Sequence, residues 1–296
     1  MASQTAAVVV TLDGELHDPA EPLLYADDLA AVRGDGIFET LLVRDGHPCL
    51  LEAHLARLTQ SAQLCDLPAP DLPQWRRAVG VAVERWLGLS AEEAVLRLVY
   101  SRGREGGTAP TGYATIGGLP ARVASARAHG VAAISLPRGL SAEGTAEMPW
   151  LLAGAKTLSY AVNMAALRHA ERHGADDVIF VGSDGYLLEG PRSTVVIATE
   201  SERGAARPTL LTPPPEFPIL RGTTQQALFD VARDKGYDCG YRALRPADLL
   251  TAQGIWLVSS ITLAARVHTL DGRALAPSPL AGEFAELVDA AIVSDR

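Results

Sequence analysis

Lysine is nearly missing from this chain. Of 26 basic residues only Lys156 and Lys235 are lysine; the rest are arginine. Arginine supplies charge as well or better, but it does not act as an amine nucleophile. Keeping a lysine in the apolar company of LLAGAKTLSY therefore points to amine chemistry. A lysine that leaves water loses proton affinity, and a neutral amine forms Schiff bases and passes protons. Cysteine is scarce too. Cys49, Cys65 and Cys239 are odd in number, far apart and without a CxxC. That speaks against a disulfide framework or a zinc site and fits a reducing cytoplasm. No apolar run approaches the ~18–20 residues of a membrane span. The start, MASQTAAVVVTLDGE, lacks the basic n-region of a signal peptide. Positive charge is short as well: a formal net charge of −9 argues against a non-specific nucleic-acid binder. There is no internal repeat and no low-complexity tract.

What is present is an ordinary globular composition, 48% apolar and 21% charged, over 296 residues, enough for one large or two medium domains. Strand-like runs with Asp-Gly turns occupy 6–17 and 37–48. LLEAHLARLTQSAQLC (50–65) places Leu51, Leu55, Leu58 and Ala62 on one helical face, with His54 and Arg57 as a solvated edge or, for Arg57, a phosphate contact. A second helix, 74–87, groups Trp75, Val79, Ala82 and Trp86. Strands follow at 94–103 and 112–116. The stretch 119–130 has no strong period and reads as a linker between a domain of residues 1–118 and one of residues 131–296. In the second part, a helix after Lys156 would carry Leu158, Val162, Ala165 and His169 on one face and stop at Gly174. DVIFV and YLLEG pair through Ser183-Asp184-Gly185, and helices follow Gly222, Pro246 and residue 280. Strands mixed with helices make the class α/β or α+β.

Several groups could carry chemistry. Lys156 and Glu189 are 33 positions apart. Pyridoxal phosphate needs a lysine at its aldehyde carbon and a carboxylate at its ring nitrogen, yet a surface lysine and a strand-end acid would have the same spacing. Gly222-Thr223-Thr224 at a helix start suits a phosphate or is an ordinary threonine cap. Arg97 and Arg102 could hold a substrate carboxylate. His169 and His173 lack a third ligand, so no metal is expected.

Taken together, RGDGIFETLLVRDGHPCLLEAHLARL, GAKTLSY, DDVIFVGSDGYLLEGPRSTV and ILRGTTQQAL, in that order, resemble the signature segments of class IV (fold type IV) pyridoxal-phosphate enzymes. The resemblance runs from about residue 8 to 275. It implies a small N-terminal α/β domain, a larger C-terminal mixed α/β domain, an active site between them and a cytoplasmic homodimer. It also implies that Lys156 forms the Schiff base and shuttles the proton. Glu189 bonds the pyridine nitrogen, and Tyr160 approaches the phenolic oxygen. Arg57, Thr223, Thr224 and Ser260 hold the phosphate, and Thr40 stands near the lysine. Arg33 adds positive charge on the substrate side, beside Arg97 and Arg102. Within the family the chain looks most like actinobacterial 4-amino-4-deoxychorismate lyases, which release pyruvate and 4-aminobenzoate for folate synthesis. The alternative is an aminotransferase acting on D-amino or branched-chain amino acids. Arg33 replaces a frequent aromatic residue, Thr194 a frequent asparagine, and Arg221 and Thr223 the first and third residues of a frequent PGIT. These changes bear on substrate rather than cofactor.

Overall fold

The structure, a computed structural model, describes residues 7–144, 147–201 and 207–293. The chain divides into two units. One runs up to Ala121 and takes in Ala155–Tyr160; the other holds Arg122–Gly154 and the chain from Ala161 on. The lysine segment thus belongs to the first unit although its neighbours on both sides belong to the second.

In the first unit the strands are β1 (Val8–Thr11), β2 (Leu16–His17), β3 (Gly36–Arg44), β4 (His47–Pro48), β5 (Ala94–Ser101) and β6 (Thr111–Gly118), and the helices are α1 (Leu29–Arg33), α2 (Leu51–Leu64) and α3 (Leu72–Leu87). The strands form one sheet in the order β2-β1-β6-β5-β3-β4, antiparallel throughout. Asp45 and Gly46 join β3 to β4 with φ of 53° and 75°, the paired left-handed residues that match the twist of a hairpin. Strand alternation sorts the sheet's faces. Ile37, Glu39, Leu41, Leu96, Leu98, Ala114 and Ile116 are fully buried, and Phe38, Thr40, Val99, Tyr113 and Thr115 between them are only half-buried. Helices α2 and α3 pack against this sheet. Asp71 caps α3 by accepting from the N–H of Gln74, and Trp75, Ala78, Val79, Ala82 and Trp86 bury one stripe of it.

The second unit contains α4 (Ala121–His129), β7 (Val131–Pro137), α5 (Ala161–Arg172), β8 (Asp177–Val181), β9 (Thr194–Thr199), β10 (Thr209–Thr212), α6 (Thr223–Asp234), β11 (Asp238–Tyr241), α7 (Pro246–Thr251), β12 (Gly254–Ser259), β13 (Leu263–Leu270), β14 (Arg273–Ala274) and α8 (Ala281–Ile292). Among the described residues its sheet runs β11-β10-β9-β12-β13-β7-β8, with β14 hairpinned onto β13. The centre is antiparallel, and β10–β11, β13–β7 and β7–β8 are parallel. Ile179, Val195, Ile197, Ile255, Leu257, Ala265 and Val267 fill the core beside this sheet.

Two readings of the sequence are corrected. Residues 121–129, taken as linker, are helix α4; only Val123 and Ala126 of it are buried, so its apolar signal is thin. The helix after the lysine starts at Ala161, not near Lys156. The face it buries holds Leu167 and Ala170, while Val162 is 56% exposed. Leu158 is not in the helix at all, because residues 156–158 pair with a strand instead.

The indole of Trp256 stacks on Phe284 at 3.9 Å and 9°, and both are buried. Truncating it opens a cavity where α8 meets the sheet. Trp256→Ala is expected to cost about 3–5 kcal/mol, read as a lower guanidinium midpoint at unchanged slope.

Candidate active site

The lysine segment is held by backbone. The N–H of Phe38 donates to the carbonyl of Lys156 at 3.0 Å, and the N–H of Leu158 donates to the carbonyl of Gly36 at 2.8 Å. Ile37 and Thr157 form the antiparallel bridge between those bonds. The Lys156 N–H donates to Ser61 Oγ of α2 at 3.1 Å, and Ser159 Oγ donates to the Gly34 carbonyl at 3.2 Å. Residues 156–158 therefore extend the sheet along the start of β3, which β4 leaves uncovered. This explains the two glycines of Gly34-Asp35-Gly36. A Cβ on Gly34 would stand 2.8 Å from Ser159 Oγ, and one on Gly36 would stand 2.8 Å from Leu158 Cδ1 and 2.7 Å from the Tyr100 carbonyl. Both leave room for the lysine segment as well as turning the chain.

Because Thr157 sits opposite Ile37, period-2 alternation puts the Lys156 side chain on the other face of the sheet. Its Nζ lies 4.5 Å from the ring centre of Phe38 and 5.9 Å from that of Tyr160, and the two rings meet edge to face at 5.5 Å. Thr40 follows Phe38 on that face and pairs with Arg97, which pairs with Thr115. The Thr40 hydroxyl, the Arg97 guanidinium and the Lys156 amine are thus carried by one half-exposed sheet face. Arg102 is placed differently. It grips Asp35 through Nε at 2.7 Å and Nη2 at 3.3 Å and donates to the carbonyls of Cys65 and Asp66. Arg33 pairs with Glu105 at 3.2 Å, both well exposed.

On the opposite, buried face stands a group that no role was assigned from sequence. Glu39 is fully buried. Its Oε1 accepts from Arg57 Nε at 2.8 Å, and its Oε2 from Arg57 Nη2 at 2.7 Å and from His54 Nδ1 at 2.7 Å. His54 and Arg57, one turn apart on α2, are buried rather than a solvated edge. Two signals could have shown this. Glu39 alternates with Ile37, Leu41 and Val43 at inward strand positions, and His54 and Arg57 interleave with Leu55 and Leu58. Burial alone would raise the Glu39 carboxyl, but the charge and bonds of Arg57, with those of His54, outweigh it and hold the carboxyl far below the usual range. An ionised carboxylate only accepts, so His54 Nδ1 carries the proton in this bond. Burial pushes the His54 imidazole below its ordinary value, against the pull of Glu39.

In the second unit Glu189 follows β8 through the turn at 183–185. Its carbonyl accepts from the Phe180 N–H at 2.9 Å, and its Oε2 accepts from the Leu220 N–H at 3.0 Å. That bond fixes the carboxylate against the loop leading into α6. Gly222 occupies the N-cap of α6 and brings no side-chain oxygen to the first-turn N–H groups. A Cβ there would stand 2.4 Å from Thr194 Oγ1. Thr223 and Thr224 are buried, and Thr224 Oγ1 lies 3.4 Å from Ser260 Oγ. A helix start without a side-chain cap, lined by hydroxyls, fits a phosphate. Among the described residues there is no cluster of His, Cys, Asp and Glu able to hold a metal, and no helix long and apolar enough to cross a membrane.

Glu39 and His54 set a sign for acid stability. The unfolded chain takes up protons at both that the folded chain refuses. Their contribution is whole above the ordinary histidine value of 6.5 and is lost as pH falls, first at His54, then at Glu39 below its ordinary 4.5. The urea midpoint should therefore fall between about pH 7.5 and pH 4, and a Glu39→Gln, His54→Gln double variant should show a lower midpoint with a shallower fall.

The profile of the family described as amino-transferase class IV matches residues 36–270. A curated relative from Mycobacterium tuberculosis, named bifunctional aminodeoxychorismate lyase / D-amino acid transaminase, is 72% identical over 98% of this chain and 100% of its own. A solved structure of a hypothetical aminotransferase from the same organism, in a PLP-bound form, superposes with a TM-score of 0.95 at 72% identity, covering 98% of this chain and 100% of that one. A fold IV transaminase from Curtobacterium pusillum gives 0.88 at 39% identity, covering 95% and 98%. With a profile spanning most of the chain and relatives this close over their whole length, the protein belongs to the class IV aminotransferase family of fold type IV enzymes.

Proposed function

We propose that this enzyme uses pyridoxal phosphate to remove pyruvate from 4-amino-4-deoxychorismate, leaving 4-aminobenzoate for folate synthesis. The observation that carries the reading is the seat of Lys156, an amine laid against the rings of Phe38 and Tyr160 on the same sheet face as Thr40 and Arg97. A second activity, transamination of D-amino acids by the same residues, is supported by the double name of the relative at 72% identity. We include in the proposal a cytoplasmic homodimer.

Lys156 takes the cofactor's aldehyde, Glu189 its pyridine nitrogen and Tyr160 its phenolic oxygen. Thr223, Thr224, Ser260 and Arg57 take the phosphate. Bound in that way, pyridoxal phosphate supplies an aldehyde that condenses with amines and a ring that accepts electrons from the neighbouring C–H bond. The Leu220 N–H bond holds the Glu189 carboxylate against the loop before α6, and that carboxylate would keep the ring nitrogen protonated. Lys156 acts as the base that removes the proton from the substrate carbon bearing nitrogen. The C–O bond to the enolpyruvyl group then breaks. A proton returned by Lys156 to the methylene carbon of the departing group gives pyruvate, and the ring left behind becomes aromatic. Thr40 offers a hydroxyl to the departing oxygen. Arg97 is assigned a substrate carboxylate because strand register places it on the face that carries Thr40 and the Lys156 amine; Arg102, which grips Asp35, and Arg33, which pairs with Glu105, stand off that face. For transamination the same Lys156 amine would remove and relocate that proton, with no C–O bond broken.

The test is to add aminodeoxychorismate to purified, cofactor-loaded protein without any keto acid. Many turnovers of 4-aminobenzoate with equimolar pyruvate are expected. No product, with normal cofactor absorbance, would leave transamination as the function, to be assayed next with D- and L-amino acids. Lys156→Ala should abolish both activities, and wild-type turnover in that variant would remove the amine from the mechanism.

A further inference from the structure

We propose that Glu39 is a positioning residue for Arg57, and that it makes the enzyme selective for a phosphorylated cofactor by fixing the orientation of that guanidinium. The inference rests on the reading above that Arg57 meets the phosphate. The geometry is specific. A guanidinium on a flexible stem normally samples many rotamers at considerable entropy cost when it is held. Here two nitrogens of the fork are engaged by the two oxygens of one carboxylate, at 2.8 and 2.7 Å, which fixes both the plane of the fork and its rotation within that plane. The carboxylate is fixed in turn. It projects from the central stretch of β3, whose neighbours Ile37 and Leu41 are fully buried, and His54 Nδ1 holds Oε2 from the same helix that carries Arg57.

A structural ion pair could stabilise the fold with no bearing on ligands, but two features point further. Glu39 lies one residue from Phe38 and one from Thr40, on the strand whose other face carries the lysine's neighbours. The segment carrying Lys156 is bonded to Ser61 of the same helix α2. Arg57 and Lys156 are thus referenced to one strand and one helix. Losing Glu39 would release the guanidinium while leaving the backbone bonds at 36–38 and 156–158 in place.

The experiment compares apo-protein titrated with pyridoxal phosphate and with pyridoxal, which lacks the phosphate, following the absorbance of bound cofactor. Glu39→Gln is expected to weaken pyridoxal phosphate by about tenfold or more and to leave pyridoxal within about twofold. Thermal denaturation of each apo-protein shows whether the variant is folded. If Glu39→Gln is insoluble, Glu39→Asp keeps the charge but is too short to span both nitrogens in place, and it should show a smaller selective loss. Equal weakening of both compounds, or of neither, would overturn the proposal and leave Glu39 a structural partner. Arg57→Gln, which removes the cation, separates the underlying reading: if it folds and retains wild-type preference for the phosphorylated compound, Arg57 does not hold the phosphate.

Discussion

The first four residues of β3 must find partners on two sides. Toward β5 the antiparallel ladder is continuous from Gly36 to Val43. On the outer side β4 reaches only Val43 and Arg44. The N–H of Phe38 and the carbonyl of Gly36 would otherwise be an open strand edge, a costly place for unpaired backbone and an invitation to foreign strands. The chain closes that edge with residues 156–158. This hydrogen-bonding requirement brings a lysine from far along the sequence to the strand that also bears Phe38, Glu39 and Thr40. The glycines at 34 and 36 and the hydroxyl of Ser61 are shaped around it.

Burying Glu39 is an expensive way to build a core. An ionised carboxylate taken from water costs several kcal/mol before its partners repay it, and three well-packed apolar side chains would stabilise the same space at least as well. The cost is offset here by three charge-assisted or polar bonds. What an apolar core cannot supply is direction. A carboxylate held on a strand defines where a guanidinium points; leucine does not. The same contrast separates Arg57 from Arg104, whose pair with Asp27 is about half exposed and, being screened by water, contributes little.

Much of this was legible in the sequence. An Asp-Gly pair marked the hairpin at 45–46 because residues tolerant of positive φ serve there. The scarcity of lysine pointed to residue 156, and the four motif segments gave the family. Other features were not legible, for identifiable physical reasons. Helix α4 buries too few side chains to print a period. Lys156 and Leu158 look helical because lysine and leucine favour helix, but pairing with an unsatisfied strand edge overrides that preference. His54 and Arg57 read as surface because charge usually means surface; their burial depends on Glu39, which lies on a different element. A one-residue period-2 reading of β3 would have placed the acid inward, and the need for a partner would have followed.

Residues 155–160 are an island: in sequence they sit inside one unit, and in contacts they belong to the other. The bond between Phe38 and Lys156 closes a loop of more than a hundred residues, so it forms at a high entropy cost and contributes to a slow, non-local topology. A ribosome that has released only the first unit's continuous part exposes β3 with its outer edge bare, and that nascent sheet is completed only after the lysine segment emerges. Lys156 is therefore among the last pieces the first sheet receives.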